Sequence, residues 1–222
     1  MTDGRSAADL RIGGFERISF CDWPGQIAAT VFLQGCPWRC PYCHNPGLLP
    51  AGRAGALEWR DILAFLETRR GLLDGVVFSG GEPTAQAGLD VAIQDVRLLG
   101  FRIGLHTAGP YPDRLKRLLP LVDWVGLDIK APFGNYEAIT QVPRSGEKAH
   151  SSLMALLASG VDYELRTTVH SGLLDTAQTA RIAEELAALG AQPTRIQPYR
   201  ETGVDKAVMA SALLEPGLHR VT

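Results

Sequence analysis

The chain has 222 residues, 45% hydrophobic and 21% charged, with a formal net charge of -2. That length supports one domain with a proper hydrophobic core, and the faint acidic balance excludes a general nucleic-acid binder, which carries a basic excess. No apolar run approaches the roughly 20 residues that a membrane-spanning helix needs, and Met1–Leu10 is charged without an apolar core, so neither a membrane anchor nor a secretory signal is read here.

A cytoplasmic protein is therefore expected, and its four cysteines are expected to be reduced thiols. Residues 1–10 are expected to form a flexible tail, 11–202 a single domain and 203–222 a C-terminal extension. The pattern over Arg11–Phe20 permits a short strand, closed by the turn residues Asp22-Trp-Pro-Gly25. Six apolar, mostly β-branched segments follow: Ala28–Leu33, Gly75–Ser79, Arg102–His106, Trp124–Ile129, Tyr163–Val169 and Thr194–Gln197. Helical patterns alternate with them at Trp59–Arg70, Leu89–Leu99, Tyr111–Leu119, Glu147–Ser159 and Thr176–Leu189. Gly100, Gly160 and Gly190 follow three of these helices closely, as left-handed helix ends do. A further short helix is expected over Val204–Leu214.

Strand–helix alternation predicts an α/β fold with a parallel sheet. A doubly wound sheet and a curved, partial (β/α)6 barrel both fit, and both carry function at the carboxyl ends of the strands. The unusual residues fall at those ends: Gly35-Cys36, Ser79-Gly-Gly-Glu-Pro83, His106-Thr-Ala-Gly109, Asp128-Ile-Lys130, Thr168-Val-His170 and Gln197-Pro-Tyr199.

The most specific signal is Cys36-Pro-Trp-Arg-Cys40-Pro-Tyr-Cys43-His-Asn-Pro46. This spacing lets one short loop fold three thiolates around a soft metal centre. Three thiolates leave one iron of a four-iron cluster free, which suits catalysis better than simple electron transfer. A zinc site of the three cysteines plus His44 is the alternative. It asks adjacent residues Cys43 and His44 to reach one tetrahedral ion. Cys21, the remaining cysteine, is expected to be a small buried hydrophobe.

Around that loop, Gly80-Gly81 lets backbone approach a ligand. Asp128 and Lys130 share one side of a strand by the period of two, where they either pair with each other or face a ligand. Arg166 suits a bidentate grip on a carboxylate; its alternative is an ion pair with Glu164.

Cys-x3-Cys-x2-Cys with an aromatic before the third cysteine resembles the signature of the radical S-adenosylmethionine (SAM) superfamily, and Gly80-Gly-Glu-Pro83 resembles that family's second motif. The resemblance runs from about Arg11 to Tyr199, through Thr30-Val-Phe-Leu-Gln-Gly-Cys36 and Cys43-His-Asn-Pro46. Within the superfamily it is similar to glycyl-radical activating enzymes, above all to the activating protein of anaerobic ribonucleoside-triphosphate reductase.

The resemblance implies a partial barrel, one 4Fe-4S cluster on Cys36, Cys40 and Cys43, and SAM bound at its open iron. It implies SAM contacts from Tyr42, Ser79, Gly80, Gly81, Glu82 (accepting from the SAM ammonium), Thr107 (at the ribose), Asp128, Lys130 and Arg166, with His170 and Gln197 lining the pocket. The family's Asp-Thr-Asn-Gly pattern is His106-Thr-Ala-Gly109 here, which weakens any assignment to His106 and Ala108. The implied reaction forms a glycyl radical on a partner enzyme, anaerobic ribonucleotide reductase; the alternative is a radical SAM enzyme acting on a small molecule such as a deazapurine precursor. With only Cys21 spare, a second cluster is excluded, so reduced flavodoxin or ferredoxin is the expected electron donor.

Overall fold

The computed structural model describes residues 6–214. One sheet carries seven strands in sequential order: β1 (Ile12–Ser19), β2 (Ala28–Leu33), β3 (Gly75–Gly80), β4 (Arg102–Thr107), β5 (Trp124–Asp128), β6 (Asp162–Val169) and β7 (Arg195–Pro198). Every neighbouring pair from β2 to β7 is parallel. Strand β1 instead pairs antiparallel with β2, because the short turn between them can only reverse the chain, whereas a parallel neighbour needs a long crossover.

The crossovers carry α1 (Trp59–Glu67), α2 (Leu89–Leu98), α3 (Pro112–Leu118), α4 (Tyr136–Thr140), α5 (Ser145–Ser159) and α6 (Thr176–Ala188), and α7 (Lys206–Leu214) follows β7. Helix α4 has five residues, too few to show a helical period, and the sequence gives no sign of it. Gly100, Gly160 and Gly190 lie at φ of 92°, 73° and 72°, ending α2, α5 and α6.

Helix α2 buries Leu89, Ala92, Ile93 and Val96, an apolar stripe at helical spacing. Val76, Val77 and Phe78 of β3 are all fully buried, as expected of a parallel strand covered on both faces. The outer face meets the helices. On the inner face Trp23, Ala28, Val77 and Trp124 form a small separate cluster. Trp23, from the first turn, stacks on Trp124 of β5 with ring centroids 5.7 Å apart, so the sheet curls enough to bring its first connection over its fifth strand. A Cβ on Gly75 or Gly104 would come within 2.8 or 3.0 Å of the Trp23 ring, so those strand glycines make the room the indole fills. Strands β1 and β7 do not pair with each other, which leaves a partial barrel with an open side.

The expected N-terminal tail is partly packed where it is described, and the short helix expected over Val204–Leu214 is present as α7 (Lys206–Leu214). Ala7 and Leu10 are buried in the main core while Ser6, Ala8 and Asp9 stay exposed, so two side chains anchor this segment; two apolar side chains are too sparse a signal to read. Val204, Met209 and Ala212 are likewise buried, which docks the start of the C-terminal segment. Residues 1–5 of the expected tail and 215–222 of the expected extension lie outside the described residues. Among the described residues no helix is long and apolar enough to cross a membrane.

Candidate active site at the carboxyl ends of the strands

A cavity of about 180 Å³ opens at the carboxyl ends of β2 to β6, and Cys36, Cys40 and Cys43 all line it together with Trp38 and Tyr42. Backbone pairing laces their loop to its surroundings. Gly35 N–H donates to Leu48 O (2.7 Å), Cys36 N–H to Leu49 O (3.1 Å), and Glu82 N–H to Gly35 O (2.8 Å). The Gly80-Gly81 turn thus lies directly against the cysteine loop. A Cβ on Gly81 would meet Gly35 O at 2.5 Å and Leu48 O at 2.9 Å, so only glycine permits this approach.

Opposite the cysteines stands a charged trio. Asp128 Oδ1 accepts from Arg166 Nε (3.1 Å) and Asp128 Oδ2 from Lys130 Nζ (3.4 Å). Burial pushes the Asp128 carboxyl up, but Lys130 and Arg166 outweigh it and hold the group below its usual range. Burial acts against the Lys130 ammonium, and Asp128 and Tyr42 more than offset it. The trio carries one net positive charge into the cavity, which favours an anionic group there. Asp128 and Lys130 pair with each other and also line the cavity. Glu164 pairs with Arg195 at 3.4 Å, not with Arg166, which turns inward into the space left by Gly126; a Cβ there would come within 2.8 Å of Arg166 Cζ.

Three expected contacts are placed differently. Glu82 is 1% exposed, and its carboxylate points away from the cavity. Its Oε1 accepts from Thr84 N (3.1 Å), Thr84 Oγ1 (2.5 Å) and Thr107 Oγ1 (2.7 Å), and its Oε2 from Ala108 N (3.0 Å). Donors from two strand ends thus bond both oxygens, and Glu82 braces the pocket from beneath without lining it. Gln197 lines a neighbouring groove of about 590 Å³, which shares His44, Asp128, Arg166 and Thr168 with the cavity. His170 lines neither; its ring meets Tyr199 edge-on at 4.9 Å, and its Nδ1 accepts from Gly172 N. Tyr42, Ser79, Gly80, Gly81, Thr107, Asp128, Lys130 and Arg166 are brought together on the cavity wall.

The structure adds His106, which lines the cavity and touches Ser79 Oγ (3.1 Å), Asp22 O (2.7 Å) and Arg166 Nη1 (3.2 Å). Burial and then the Arg166 charge push its pKa down to about 4, so the ring is neutral at pH 7. Its position two residues ahead of Ala108 at a strand end was the available signal; departure from the family pattern masked it. Cys21 is exposed and not buried, because the turn after β1 holds it at the open side, with Sγ 3.6 Å from Ser19 Oγ.

A profile of the radical SAM superfamily matches residues 30–186. The chain belongs to that superfamily. It is a radical SAM enzyme homologous to glycyl-radical enzyme activating enzymes. A Methanocaldococcus jannaschii protein named as such an enzyme is 29% identical over 184 residues, covering 78% of this chain and 74% of the relative. The pyruvate formate-lyase-activating enzyme of Clostridium pasteurianum is 29% identical over 204 residues, covering 88% and 84%. Among solved structures, SuiB of Streptococcus suis bound to S-adenosylmethionine superposes with a TM-score of 0.60 at 14% identity, over 78% of this chain and 41% of SuiB. At that identity the likeness is one of fold.

The superfamily implies SAM and a 4Fe-4S cluster, and the residues present fit both. Three soft thiols border one cavity, the donor set of iron–sulfur ligation. Burial pushes the Cys36 thiol up to about 12 and the Cys40 thiol to about 11, so a metal must displace their protons to bind. His44, the fourth ligand of the zinc alternative, has its Nε2 on Arg200 O (3.1 Å) and its ring stacked on Tyr199. Two polar atoms of cavity-lining residues, Trp38 Nε1 and Tyr42 OH, are buried without a protein partner.

Proposed function

We propose that this radical SAM enzyme holds one 4Fe-4S cluster on Cys36, Cys40 and Cys43 and generates a glycyl radical on a partner enzyme, anaerobic ribonucleotide reductase. The observation that carries this reading is the single cavity shared by three thiols, the Gly80-Gly81 turn and the Asp128–Lys130–Arg166 trio. Cys36, Cys40 and Cys43 would hold the cluster, which would supply the electron for reductive cleavage of SAM and so the radical chemistry that takes a hydrogen atom from the partner's glycine.

The chain's own residues bind and orient. Arg166 and Lys130 attract the SAM carboxylate. The Gly80-Gly81 backbone allows close approach, Thr107 and Ser79 line the wall from adjacent strand ends with their hydroxyl hydrogens held by Glu82 and His106, and Tyr42 closes the wall beside Cys43. Asp128 keeps the two cations from repelling each other. No side chain is assigned a proton-transfer role. The neighbouring groove, continuous with the cavity through Asp128 and Arg166, gives an approach from the open side of the barrel. Reduced flavodoxin or ferredoxin supplies the electron, since Cys21 alone among the four cysteines stands outside the motif and cannot hold a second cluster.

The test is anaerobic reconstitution with iron and sulfide, reduction, and assay of SAM cleavage to 5′-deoxyadenosine. Cleavage lost in Cys36→Ala, Cys40→Ala and Cys43→Ala is expected. Stoichiometric zinc, with no cluster and no cleavage, would refute the reading. A doublet glycyl signal in electron paramagnetic resonance with anaerobic ribonucleotide reductase, absent with pyruvate formate-lyase, is the expected outcome for the partner, and the reverse pattern would overturn that assignment.

A further inference from the structure

We propose that His106 is a positioning residue, which holds the Arg166 guanidinium so that its Nη1 faces the cofactor cavity. The proposal rests on the reading of that cavity as the SAM site.

The hydrogen-bond geometry sets the state of the imidazole. Nε2 lies 2.7 Å from Asp22 O, and a carbonyl oxygen only accepts, so Nε2 carries the hydrogen. In the neutral ring Nδ1 is then an acceptor, and it takes the Ser79 hydroxyl hydrogen at 3.1 Å. Edge contact with Trp124, with centroids 5.6 Å apart, adds a third anchor. The ring is pinned by β3, by the turn after β1 and by β5, and it cannot rotate without losing one of them. A depressed pKa is consistent with this, since burial and Arg166 both disfavour an imidazolium.

Arg166 reads differently in that light. Its Nε donates to Asp128 and its Nη2 to Gly126 O (3.4 Å). Nη1 approaches His106 Nε2 at 3.2 Å, but both are donors, so this contact satisfies neither. Among the described residues no carboxylate or carbonyl accepts from Nη1. The guanidinium is thus held at two nitrogens by the protein. Pinned by its bonds to Ser79 and Asp22, the His106 ring fills the space into which the third could turn, and a side chain without those anchors would yield to it. Nη1 is left to a carboxylate entering the cavity, in the planar geometry that arginine offers such groups. His106 itself need not touch SAM.

The experiment uses the full chain loaded with its cluster and measures dissociation constants by equilibrium dialysis for SAM and for decarboxylated SAM, which lacks the group Arg166 would grip. His106→Leu fills the volume but offers neither hydrogen bond; His106→Gln keeps one donor and one acceptor. His106→Leu is expected to bind SAM roughly tenfold more weakly, the order of one charge-assisted hydrogen bond, with decarboxylated SAM unchanged. His106→Gln should recover most of the preference for SAM, and Ser79→Ala, which loosens one anchor and leaves the ring in place, should reduce that preference partly. A His106→Leu protein with the wild-type ratio of the two affinities overturns the proposal. So does an equal loss for both compounds in all three variants, because a generally disturbed pocket would not single out the carboxylate. Wild-type protein that binds neither compound overturns the SAM reading itself, and the proposal with it.

Discussion

Replacing Gly80 by alanine should destabilise the fold by more than backbone strain alone. Gly80 ends β3 at φ 113°, a conformation that side chains resist, opposite Leu33 in the parallel register. An added Cβ would lie 2.5 Å from Leu33 O and 2.8 Å from Phe32 C, and closer still to Leu33 N. All three atoms are backbone of a fully paired strand, so no flexible side chain can yield. The dihedral strain costs about 1–2 kcal/mol, and forcing an extra carbon into packed backbone about 1–3 kcal/mol more. A total of about 2–5 kcal/mol is a large part of the roughly 5–15 kcal/mol that stabilises a domain. For a chain of this length it lowers the melting temperature by roughly 4–20 °C.

Gly100→Ala is the control. Its φ is 92°, and nothing lies within 4 Å of the added Cβ, so it should cost only the strain, about 1–2 kcal/mol. Thermal and denaturant unfolding of both variants, followed by circular dichroism, reads the difference. If Gly80→Ala melts with Gly100→Ala, backbone approach is not what glycine provides at this position, and the packing argument for the turn fails.

Three further outcomes are expected. Between pH 6.5 and about 4 the folded His106 resists a proton that the unfolded chain accepts, so the unfolded state binds more protons and stability rises with pH across that window; on acidification up to about 3 kcal/mol is lost. Because Arg166, Asp128, Asp22, Ser79 and Trp124 all face the ring, the effect belongs to this cluster, and denaturant titrations of His106→Gln should show a flatter acid limb. Asp128→Asn leaves Lys130 and Arg166, 14% and 11% exposed, without a carboxylate; it should cost about 2 kcal/mol, below the 3–5 kcal/mol of a fully buried pair because one side is solvated, and unfolding in urea measures it. Cys21→Ala should retain full iron content after reconstitution and change stability by no more than about 0.5 kcal/mol, as an exposed thiol outside the cavity would; a loss of iron would make Cys21 a ligand.

Much of the fold was legible because its signals are local. Trp59–Glu67 and Leu89–Leu98 repeat apolar residues at helical spacing, and β3 carries the apolar run Val76-Val-Phe78; each pattern records the one face or two that the element buries. The cysteine spacing was legible for the same reason, since one short loop carries all three thiols. The antiparallel first strand was not, because Arg11–Phe20 shows strand character but not its partner. Nor was the packing of Ala7 and Leu10, whose burial depends on α1 and α2 lying beside them.

The amino-acid sequence by itself therefore determined the order of strands and helices, the strand ends that carry function, and the thiols that share a loop. Tertiary structure alone decided which of the rim residues line the cavity and which bond to each other. Glu82 faces Thr84, Thr107 and Ala108, Arg166 chooses Asp128 over Glu164, and His106 reaches Asp22 across 84 residues. Periodicity encodes which way a side chain leaves its own strand, but a hydrogen bond or an ion pair needs two groups at contact distance. When those groups lie on different strands, the curl of the sheet sets that distance.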